Sequence, residues 1–429
     1  MKLPVVLCAL LLLGAGPSPA QAALTVATWN LGWHLSLAQA SAWIADCGRH
    51  YAFDAAANAW SASTDTAAKS GWELDWRPPD EATRLPWTLD RQPPCNVYQD
   101  VAHRTVAATD ESYRRRARQV GAIVAALDSP DVIALQEVSG EAAVREVLGP
   151  AAAEYDVCSY DGYAVQRLAF AWRKKLSGTK GRCEVHAPLS LPGGGERRPR
   201  PGLLLALEVN GKSVAFLNVH LKSSCVSPLE RDAGGRGQLD GPQRDCRTLQ
   251  RQVAPLEAWI EDAAERHDRI VVLGDFNRDL WHEIEAGRKL APRTDGSDPT
   301  TPLPPGARVR LLEAEVNDGE PPASALALAA PRCAKTADAE ALCEAAKRAR
   351  LSAAESKKLR RDLGCRNPVG LDQILVSRGW PALPSPLVSE KMAIAPYGGS
   401  RGPTARDPGA KTYLAVSDHC PVRLALPDP

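Results

Sequence analysis

The chain has 429 residues, of which 44% are hydrophobic and 24% are charged, and its formal net charge is +1. These values are typical of a globular protein with a large core, and they exclude an intrinsically disordered or fibrous chain. A net charge this close to zero also excludes a general attraction to nucleic acid, so any such attraction must come from local patches.

The first 22 residues have the features of an export signal. Lys2 supplies a positive start, residues 3–16 form a short apolar segment, and "AQA" at 20–22 suits a cleavage site. The alternative is a membrane anchor, but the apolar segment is too short for a comfortable span. We therefore expect cleavage after Ala22, a mature domain of residues 23–429, no stable membrane insertion, and a secreted or periplasmic location.

Cysteine usage agrees with an oxidising compartment. Apart from Cys8 in the signal, the sequence has ten cysteines, and no CxxC pair points to a zinc site. Connectivity does not follow from the sequence alone. We favour Cys225–Cys246 first, with Cys158–Cys183 and Cys47–Cys95 as further candidates.

Strand and helix patterns alternate along the mature chain. The predicted strands cover 24–33, 130–138, 163–172, 203–209, the start of 214–225, 269–279, 371–377 and 417–426, and the predicted helices cover 111–128 and 246–266. Two insertions interrupt the pattern, a tryptophan-rich one at about 34–110 and a partly helical, basic one at about 283–366. The alternation predicts an α/β layered sandwich of mixed sheets.

Several predicted buried strands end in polar or titratable side chains. They are Asn30, Glu137, His220, Asp275 with Asn277, and Asp418 with His419, and Asp372 lies at the edge of a further strand. Each has an ordinary explanation: a turn cap, a buried ion pair, a core histidine, an Asx turn in "GDFN" or a turn at 418–419. Because a buried, unpaired carboxylate is costly, the recurrence predicts that these side chains surround a cation or a substrate.

Six motifs in chain order carry a family resemblance: "TWNL", "LQEV", "NVHLKS", "GDFN", "LDQILV" and "SDHCPV". Together they resemble the endonuclease/exonuclease/phosphatase superfamily and its deoxyribonuclease I-like branch, over most of residues 24–426 outside the insertions. The resemblance implies a four-layer α/β sandwich of two packed mixed β-sheets flanked by helices. It also implies metal-dependent hydrolysis of phosphoesters.

The resemblance assigns the metal and water sites. Glu137 resembles the principal metal ligand, Asp418 a second metal-side carboxylate, and Asn30 the asparagine near metal and phosphate. Asp275 and Asn277 match the pair that positions the attacking water and the scissile phosphate. Carboxylate and amide oxygens around an anionic phosphodiester suit Mg²⁺, with Mn²⁺ and Ca²⁺ as alternatives.

The resemblance also assigns two histidines. His419, oriented by Asp372, resembles the general base or phosphate-binding histidine, and His220 resembles the histidine that contacts phosphate and acts as general acid. Lys222 follows two residues later on the same predicted strand face and adds positive charge for the substrate. Arg200, in "ERRPRPG", is a further candidate for phosphate contact.

Outside the predicted site, basic and aromatic residues are concentrated in a few segments of the sequence. We interpret "YRRRAR" (113–118) as a solvated helix face. Residues 347–366 hold eight Lys or Arg and two Asp or Glu, which fits either a solvated helical surface or a patch that binds a phosphate backbone. We expect most tryptophans of 34–110 to form the core of that insertion rather than exposed stacking platforms.

These features predict an exported, metal-dependent phosphodiesterase. The leading hypothesis is a monomeric nuclease that hydrolyses DNA, in preference to RNA. One alternative is a secreted, sphingomyelinase-like phospholipid phosphodiesterase, which exposed aromatic residues around the site would favour, whereas a positive rim would favour DNA. Another is a non-catalytic binding protein on the same fold, which should have lost a catalytic residue, and no core position is lost.

Overall fold

The computed structural model describes residues 24–77, 80, 82–87, 91–100, 103–162, 166–176, 181–192, 198–229, 237–288, 309–333, 337–367, 369–399, 405–406 and 412–429. The predicted export signal at 1–22 lies outside these residues, so its cleavage stays a prediction. Within the described part of the chain, no helix is long and apolar enough to cross a membrane.

The secondary structure follows the predicted alternation and adds short edge strands. Strands β1 to β18 span Leu24–His34, His50–Asp54, Ala59–Ser63, Lys69–Ser70, Val132–Val138, Tyr155–Ser159, Arg167–Arg173, Arg182–His186, Gly202–Val209, Lys212–His220, Arg269–Asp275, Leu326–Leu328, Ala330–Arg332, Asp372–Ser377, Val388–Lys391, Ala405–Arg406, Thr412–Tyr413 and Val422–Leu426. Helices α1 to α8 span Leu37–Cys47, Asp110–Ala126, Glu141–Leu148, Arg244–Arg266, Leu280–Gly287, Leu312–Val316, Ala337–Lys347 and Ala353–Leu363. Short 3₁₀ helices cover Gly71–Glu73, Gly149–Glu154, Lys174–Leu176, Ala187–Ser190 and Pro322–Ser324.

Two large mixed sheets form the centre of the molecule. The first has the strand order β13-β15-β18-β1-β5-β7-β6, and the second has the order β12-β14-β11-β10-β9-β8. At the middle of each sheet two strands run parallel, β1 beside β5 and β10 beside β11. Parallel neighbours end at the same edge of a sheet, so the polar ends of these four strands are paired within their sheets.

Alternation along the strands explains why the sheets pack on both faces. In β10, Val214 and Phe216 point into the core between the two sheets, whereas Leu217 and Val219 face α4. Helix α4 packs against this face with apolar residues at helical spacing: Leu249, Val253, Leu256 and Ile260. Helices α2 and α3 cover the outer face of the first sheet in the same way. The four-layer α/β sandwich that the resemblance implied is thereby confirmed.

A polar bridge joins the two sheets beneath their ends. Gln136 of β5 donates through Nε2 to Asn218 Oδ1 of β10 at 2.8 Å. Asn218 in turn donates to the carbonyl oxygens of Leu135 and Ala169, at 3.1 Å each. All of these groups are buried. Because each bond is made between sheets, the network fixes the position of one strand end relative to the other.

The first insertion builds its own core, as predicted. Trp43 and Trp76 are buried with Tyr51, Leu74 and Tyr98, and the Cys47–Cys95 disulfide closes the segment. The same cluster extends to Leu35, Tyr113 and Leu414. The insertion is therefore packed onto the sandwich rather than linked to it by a flexible tether.

The second insertion proves to be partly sandwich. Within it, β12 pairs with β14 in the second sheet, and β13 pairs with β15 in the first sheet. Leu359 and Leu363 of α8 lie in the outer core of the first sheet. The segment predicted as an insertion, 283–366, thus includes two edge strands of the sandwich. Each has only three residues, which is too short for a strand period to show in the sequence.

Five disulfides are formed by ten cysteines. The three favoured pairs, Cys47–Cys95, Cys158–Cys183 and Cys225–Cys246, are confirmed. The remaining two bonds, Cys333–Cys343 and Cys365–Cys420, tie the second insertion to itself and to the segment before β18. Such a density of disulfides is typical of chains that fold in an oxidising compartment.

The interpretation of "YRRRAR" as a solvated face is wrong for two residues, Tyr113 and Arg116, which are both buried. Arg116 is 1% exposed, and its guanidinium donates to the carbonyl oxygens of Leu31, Gly32, Ala415 and Val416 at 2.7–2.9 Å. Arg116 therefore clamps the end of β1 against residues 415–416. Its neighbours Arg114 and Arg118 are exposed, as predicted.

Candidate active site

The predicted site residues lie at the ends of β1, β5, β10, β11 and β14 and just before β18, where the two sheets meet. The local backbone departs from regular strand geometry here. The β1–β5 ladder shifts register between Asn30 and His34, and Glu137 and Asn277 have φ values of 56° and 51°. Left-handed conformations cost about 1–3 kcal/mol in such residues and are concentrated at functional sites. In a regular strand, neighbouring side chains would alternate between the two faces of the sheet. The irregular backbone instead lets side chains of these strand ends point toward the same site.

Gly274, in "GDFN", is required by close backbone approach. Its φ is 135°, and a Cβ there would lie 2.2 Å from the carbonyl oxygen of Val219. Any other residue would push β11 away from β10, and with it Asp275. The glycine therefore sets the distance between the strand ends that carry His220 and Asp275.

Four of the predicted residues form one contact group. Asn30 Nδ2 donates to Asp275 Oδ2 at 2.9 Å and to Glu137 Oε1 at 3.4 Å. His220 Nε2 lies 3.5 Å from the same two carboxylate oxygens. Glu137 is held from its other oxygen by the backbone N–H of Trp33 at 3.0 Å. Two carboxylates from different sheets thus converge on one point.

His419 and Asp372 form the second contact group. Nδ1 of His419 lies 3.1 Å from both carboxylate oxygens of Asp372. The main chain of His419 is fixed as well, since its N–H donates to Ser417 Oγ at 2.9 Å and its carbonyl accepts from Trp29 Nε1 at 2.7 Å. Nε2 then points into the site, 3.8 Å from an oxygen of Asp275 and 3.8 Å from one of Asp418.

The remaining predicted residues border these groups. Asn277 donates to Asp275 Oδ2 at 3.0 Å and to the carbonyl of Leu221 at 3.1 Å. Its N–H donates to Asp275 Oδ1 at 2.8 Å, so "GDFN" also forms the Asx turn considered as its ordinary explanation. The side chain of Asn277 is therefore committed to orienting Asp275.

Lys222 and Arg200, the two predicted cations of the site, are near enough to His220 to lower its pKa. Strand β10 ends at His220, so the alternation that placed Lys222 on the same face stops there, and its Nζ lies 2.8 Å from Asp245. Arg200 is half-buried, and its Nε has no hydrogen-bond partner among the residues described. Both cations act on His220 electrostatically.

The charges around the two histidines have opposite effects. Burial, together with the positive charges of Arg200, His419 and Lys222, holds the pKa of His220 well below its usual value. Burial also disfavours the charged form of His419, but Asp372, Asp275 and Asp418 outweigh it and raise the pKa of His419 well above its usual value. Burial raises the pKa of Asp275 to about 7, and Asp372 adds to this effect.

Sequence reasoning missed a buried lysine behind the site. Lys391, at the end of β15, has a fully buried side chain, and its Nζ lies 3.7 Å from Asp372 Oδ2. No hydrogen-bond partner of this Nζ is found in the described part of the chain. Burial lowers the pKa of Lys391, while Asp372, Asp279 and Asp275 oppose the shift. The only signal in the sequence was a lysine inside a short strand pattern, "LVSEK".

The carboxylates fit a hard divalent cation. Glu137, Asp275 and Asp418 offer the carboxylate oxygens that Mg²⁺ prefers. Asn30 orients two of them through Nδ2, because its amide oxygen accepts from the N–H of Gly32 at 2.9 Å. Ligand atoms of Asp275, Asp372 and His419 also lie within 4.8 Å of one another, but Asp372 and His419 are already bonded to each other. Three buried or half-buried carboxylates with few cationic partners leave excess negative charge, which a cation would offset.

Residues 95–419 match the model of the Endonuclease/Exonuclease/phosphatase family. The match covers most of the chain, so the protein belongs to this family, whose members are typically metal-dependent phosphoesterases. No sequence among curated proteins matches the chain.

Solved structures with a similar fold have different activities. Sphingomyelinase C from Streptomyces griseocarneus is 14% identical, with a TM-score of 0.44, over 94% of this chain and 99% of that one. An endonuclease/exonuclease/phosphatase family protein from Bacteroides thetaiotaomicron is 12% identical, with a TM-score of 0.41, over 77% and 94%. Humanized D. rerio TDP2 is 14% identical, with a TM-score of 0.33, over 74% and 93%. These identities and scores assign no substrate.

Proposed function

We propose that the chain is an exported, metal-dependent phosphodiesterase that cleaves nucleic acid, with DNA preferred over RNA. The observation that carries the proposal is the convergence of two carboxylates, Glu137 and Asp275, on the point that His220 Nε2 and Asn30 Nδ2 also reach. His419 stands beside it, held by Asp372. This arrangement supplies a cation site and an oriented base within a few ångströms of each other.

The residues divide the chemistry between them. A divalent cation held by Glu137, Asp275 and Asp418 would neutralise charge on the phosphate. Asp372 keeps Nδ1 of His419 protonated, which leaves Nε2 to take the proton of the attacking water. Asn277 holds Asp275 in place for that water.

His220 is better suited to bind phosphate than to protonate the leaving group. Its Nε2 faces two carboxylates at 3.5 Å, which places the ring proton on that nitrogen. Nδ1 is buried, and within the described residues nothing hydrogen-bonds to it. A neutral imidazole with Nε2–H turned toward the phosphate donates a hydrogen bond to a phosphate oxygen. The general-acid role from the sequence analysis is the alternative that the leaving-group experiment below decides.

Positive side chains beside the site support nucleic acid over phospholipid. Arg200 and Lys222 act on His220, and Arg366 lines a cavity together with Asp418. A polyanion places further phosphates on both sides of the scissile one, and arginine and lysine neutralise them. A phospholipid headgroup offers a single phosphate and needs an apolar surface for its chains.

The five disulfides support export, because such bonds form and persist outside the reducing cytosol. Sequencing the N-terminus of protein recovered from the periplasm and medium tests it. We expect Ala23 as the first residue; an intact Met1 in an intracellular fraction would contradict export.

One assay tests the activity. Purified, oxidised protein is incubated with plasmid DNA, linear DNA, RNA and sphingomyelin, each with Mg²⁺ or with EDTA. We expect DNA cleavage that EDTA abolishes. Glu137→Gln should lose activity at low Mg²⁺ and recover part of it at high Mg²⁺, whereas Glu141→Gln, at an exposed helix start, should match wild type. Sphingomyelin hydrolysis without DNA cleavage would establish the phospholipase alternative, and no hydrolysis at all would favour the binding protein.

A further inference from the structure

A cavity of about 220 Å³ lies beside Asp418, at the point where both insertions reach the site. Trp33, Val97 and Tyr98 form its apolar side, and Arg366, Ser417 and Asp418 form its polar side. Val97 and Tyr98 come from the first insertion, and Arg366 closes the second. The cavity is connected to the proposed metal site, since the N–H of Trp33 holds Glu137 at 3.0 Å.

A second, more open groove of about 600 Å³ lies next to this cavity in the chain, because Cys365 lines the groove and Arg366 lines the cavity. Lys357, Arg360 and Arg361 of α8 line it opposite Gly398 and Gly399. Backbone hydrogen bonds hold the cavity and the groove side by side. The N–H of Arg366 donates to Asp418 O at 2.8 Å, and the N–H of Gly399, which lines the groove, donates to Ser417 O at 3.0 Å. A path of cationic side chains therefore runs from Asp418 past Arg366 to α8.

We propose that this path binds single-stranded nucleic acid. The base next to the scissile phosphate packs against Trp33 in the cavity, Arg366 contacts the adjoining phosphate, and the groove along α8 takes the phosphates that follow. The proposal rests on the nuclease function and names its substrate class. It also gives both insertions one task, since the first supplies the apolar wall and the second supplies the charges.

The shape of the cavity selects an unpaired base. Pockets for drug-sized ligands have volumes of roughly 300–1,000 Å³, so a cavity of about 220 Å³ accepts a single ring-sized group. In a duplex both faces of each base are covered by stacking and the edge is paired, so a duplex base cannot enter. A base in a single strand has a free face, and aromatic side chains bind it without preference for sequence.

Arg366 is suited to a phosphate rather than to a structural role. Its side chain is exposed, whereas Arg116, which braces the same wall from behind, is buried and donates to four carbonyls. Lys357 and Arg360 are likewise exposed on the groove side of α8, while Leu359 and Leu363 anchor that helix in the core. The basic face is thus fixed in position by its own apolar face.

Binding in EDTA tests the proposal without cleavage. Fluorescence anisotropy compares three ligands of equal length: oligothymidylate, an oligomer of abasic sites, and a duplex. We expect oligothymidylate to bind about 5- to 150-fold more tightly than the abasic oligomer, which corresponds to the contribution of one stacked base. The duplex should bind no more tightly than the abasic oligomer.

Variants locate the effect. Trp33→Ala should remove the preference for oligothymidylate over the abasic oligomer, and Phe53→Ala, an exposed aromatic of β2, serves as its matched control. Lys357→Ala/Arg360→Ala should lower the log–log salt slope by about 1.4, at roughly 0.7 per phosphate contact on a single strand. Arg114→Ala/Arg118→Ala removes the same charge from α2 and should leave the slope unchanged.

The outcomes separate this proposal from the proposed function. Equal affinity for oligothymidylate and the abasic oligomer, with DNA cleavage intact, would overturn the base pocket alone. Equal slope changes in the α8 and α2 variants would overturn the path along α8. Binding with the expected preferences but no cleavage of any nucleic acid in Mg²⁺ would leave the pocket standing and overturn the nuclease. If Trp33→Ala fails to fold, the comparison of oligothymidylate with the abasic oligomer on wild type still decides the base pocket.

Discussion

His220 and His419 are the same residue type and both lie at the edge where the sheets meet, His220 buried and His419 half-buried, yet the charges that shift their pKa values have opposite signs. Arg200 and Lys222 stand beside His220, and Asp372, Asp275 and Asp418 surround His419. The pKa of the first is lowered and that of the second is raised. The charges that shift the pKa of His419 are therefore acidic and those that shift the pKa of His220 are cationic, although Nε2 of His220 itself lies 3.5 Å from Glu137 and Asp275.

This difference shows how two histidines at the same edge of the sandwich can have different chemical roles. A histidine whose pKa is raised by carboxylates is poised to exchange a proton, whereas a buried histidine whose pKa is lowered stays neutral and donates a hydrogen bond. The position at a strand end brings each side chain to the substrate. Its neighbours then determine what it does there.

Removing His419 should have the largest effect. His419→Ala takes away the only oriented base that the site offers to the attacking water, so we expect a loss of about 10²–10⁴-fold in kcat, measured on DNA at saturating Mg²⁺. His267→Ala is the matched control, because His267 contacts Ser213 near the start of β10, at the opposite end of the strand from His220. Activity near wild type in His419→Ala would remove this histidine from the mechanism.

Removing His220 should lower the activity less than removing His419, and the size of this loss should not depend on the leaving group. One hydrogen bond to a charged group contributes about 1.5–3 kcal/mol, or roughly 10- to 150-fold. We expect His220→Ala to lose a similar factor on DNA and on bis-p-nitrophenyl phosphate, whose leaving group needs no proton. A much smaller loss on the nitrophenyl substrate would instead make His220 the general acid and bring the two histidines closer in function.

The buried Lys391 provides a further test of the comparison, since it places a positive charge 3.7 Å from Asp372, the carboxylate that contacts His419. Lys391→Met should lower kcat about 10- to 100-fold with little change in KM, as for other residues that orient catalytic groups. It should also raise the pKa of His419, followed by NMR of labelled histidine, because a positive charge near the imidazolium is lost. Lys212→Met, at the far end of β10, is the control. A loss of stability with an unmoved His419 titration would make Lys391 structural only.

The smallest effect requires no substitution. In metal-free wild-type protein, we expect histidine NMR to show His419 still protonated at neutral pH and His220 already neutral. The sign follows from the direction of each shift, because a raised pKa keeps the proton above about pH 6.5 and a lowered pKa releases it below that value. Mg²⁺ should lower the pKa of His419 by offsetting the carboxylates. Coincident titrations near the ordinary value would remove the contrast between the two histidines.

The sequence predicted most of the strands and the grouping of polar side chains at their ends, because the same physical signal marks both. Apolar runs with strand preference identify buried strands, and a titratable residue at the end of such a run is costly unless it meets a partner. Asn30, Glu137, His220 and Asp275 all carry this signal, and in the structure Asn30 and His220 each lie within 3.5 Å of both carboxylates. Their catalytic roles stay predictions.

Other features left weaker signals or none. Strands β12 and β13 have three residues each, too few for a period to show. The burial of Arg116 was visible in principle, because Tyr113, Arg116, Val120 and Val124 share one face at helical spacing. The run of arginines concealed it. Lys391 approaches Asp372 only through tertiary packing, which no local pattern records.

The Cys365–Cys420 bond joins two residues whose neighbours belong to different parts of the site. Cys420 directly follows His419, and Cys365 directly precedes Arg366. The bond therefore holds the backbone beside His419 close to the backbone beside Arg366, with the two cysteine Cα atoms 5.4 Å apart. Two segments that are 55 residues apart in sequence are therefore held as one unit, and an oxidising environment is a condition for their fixed spacing.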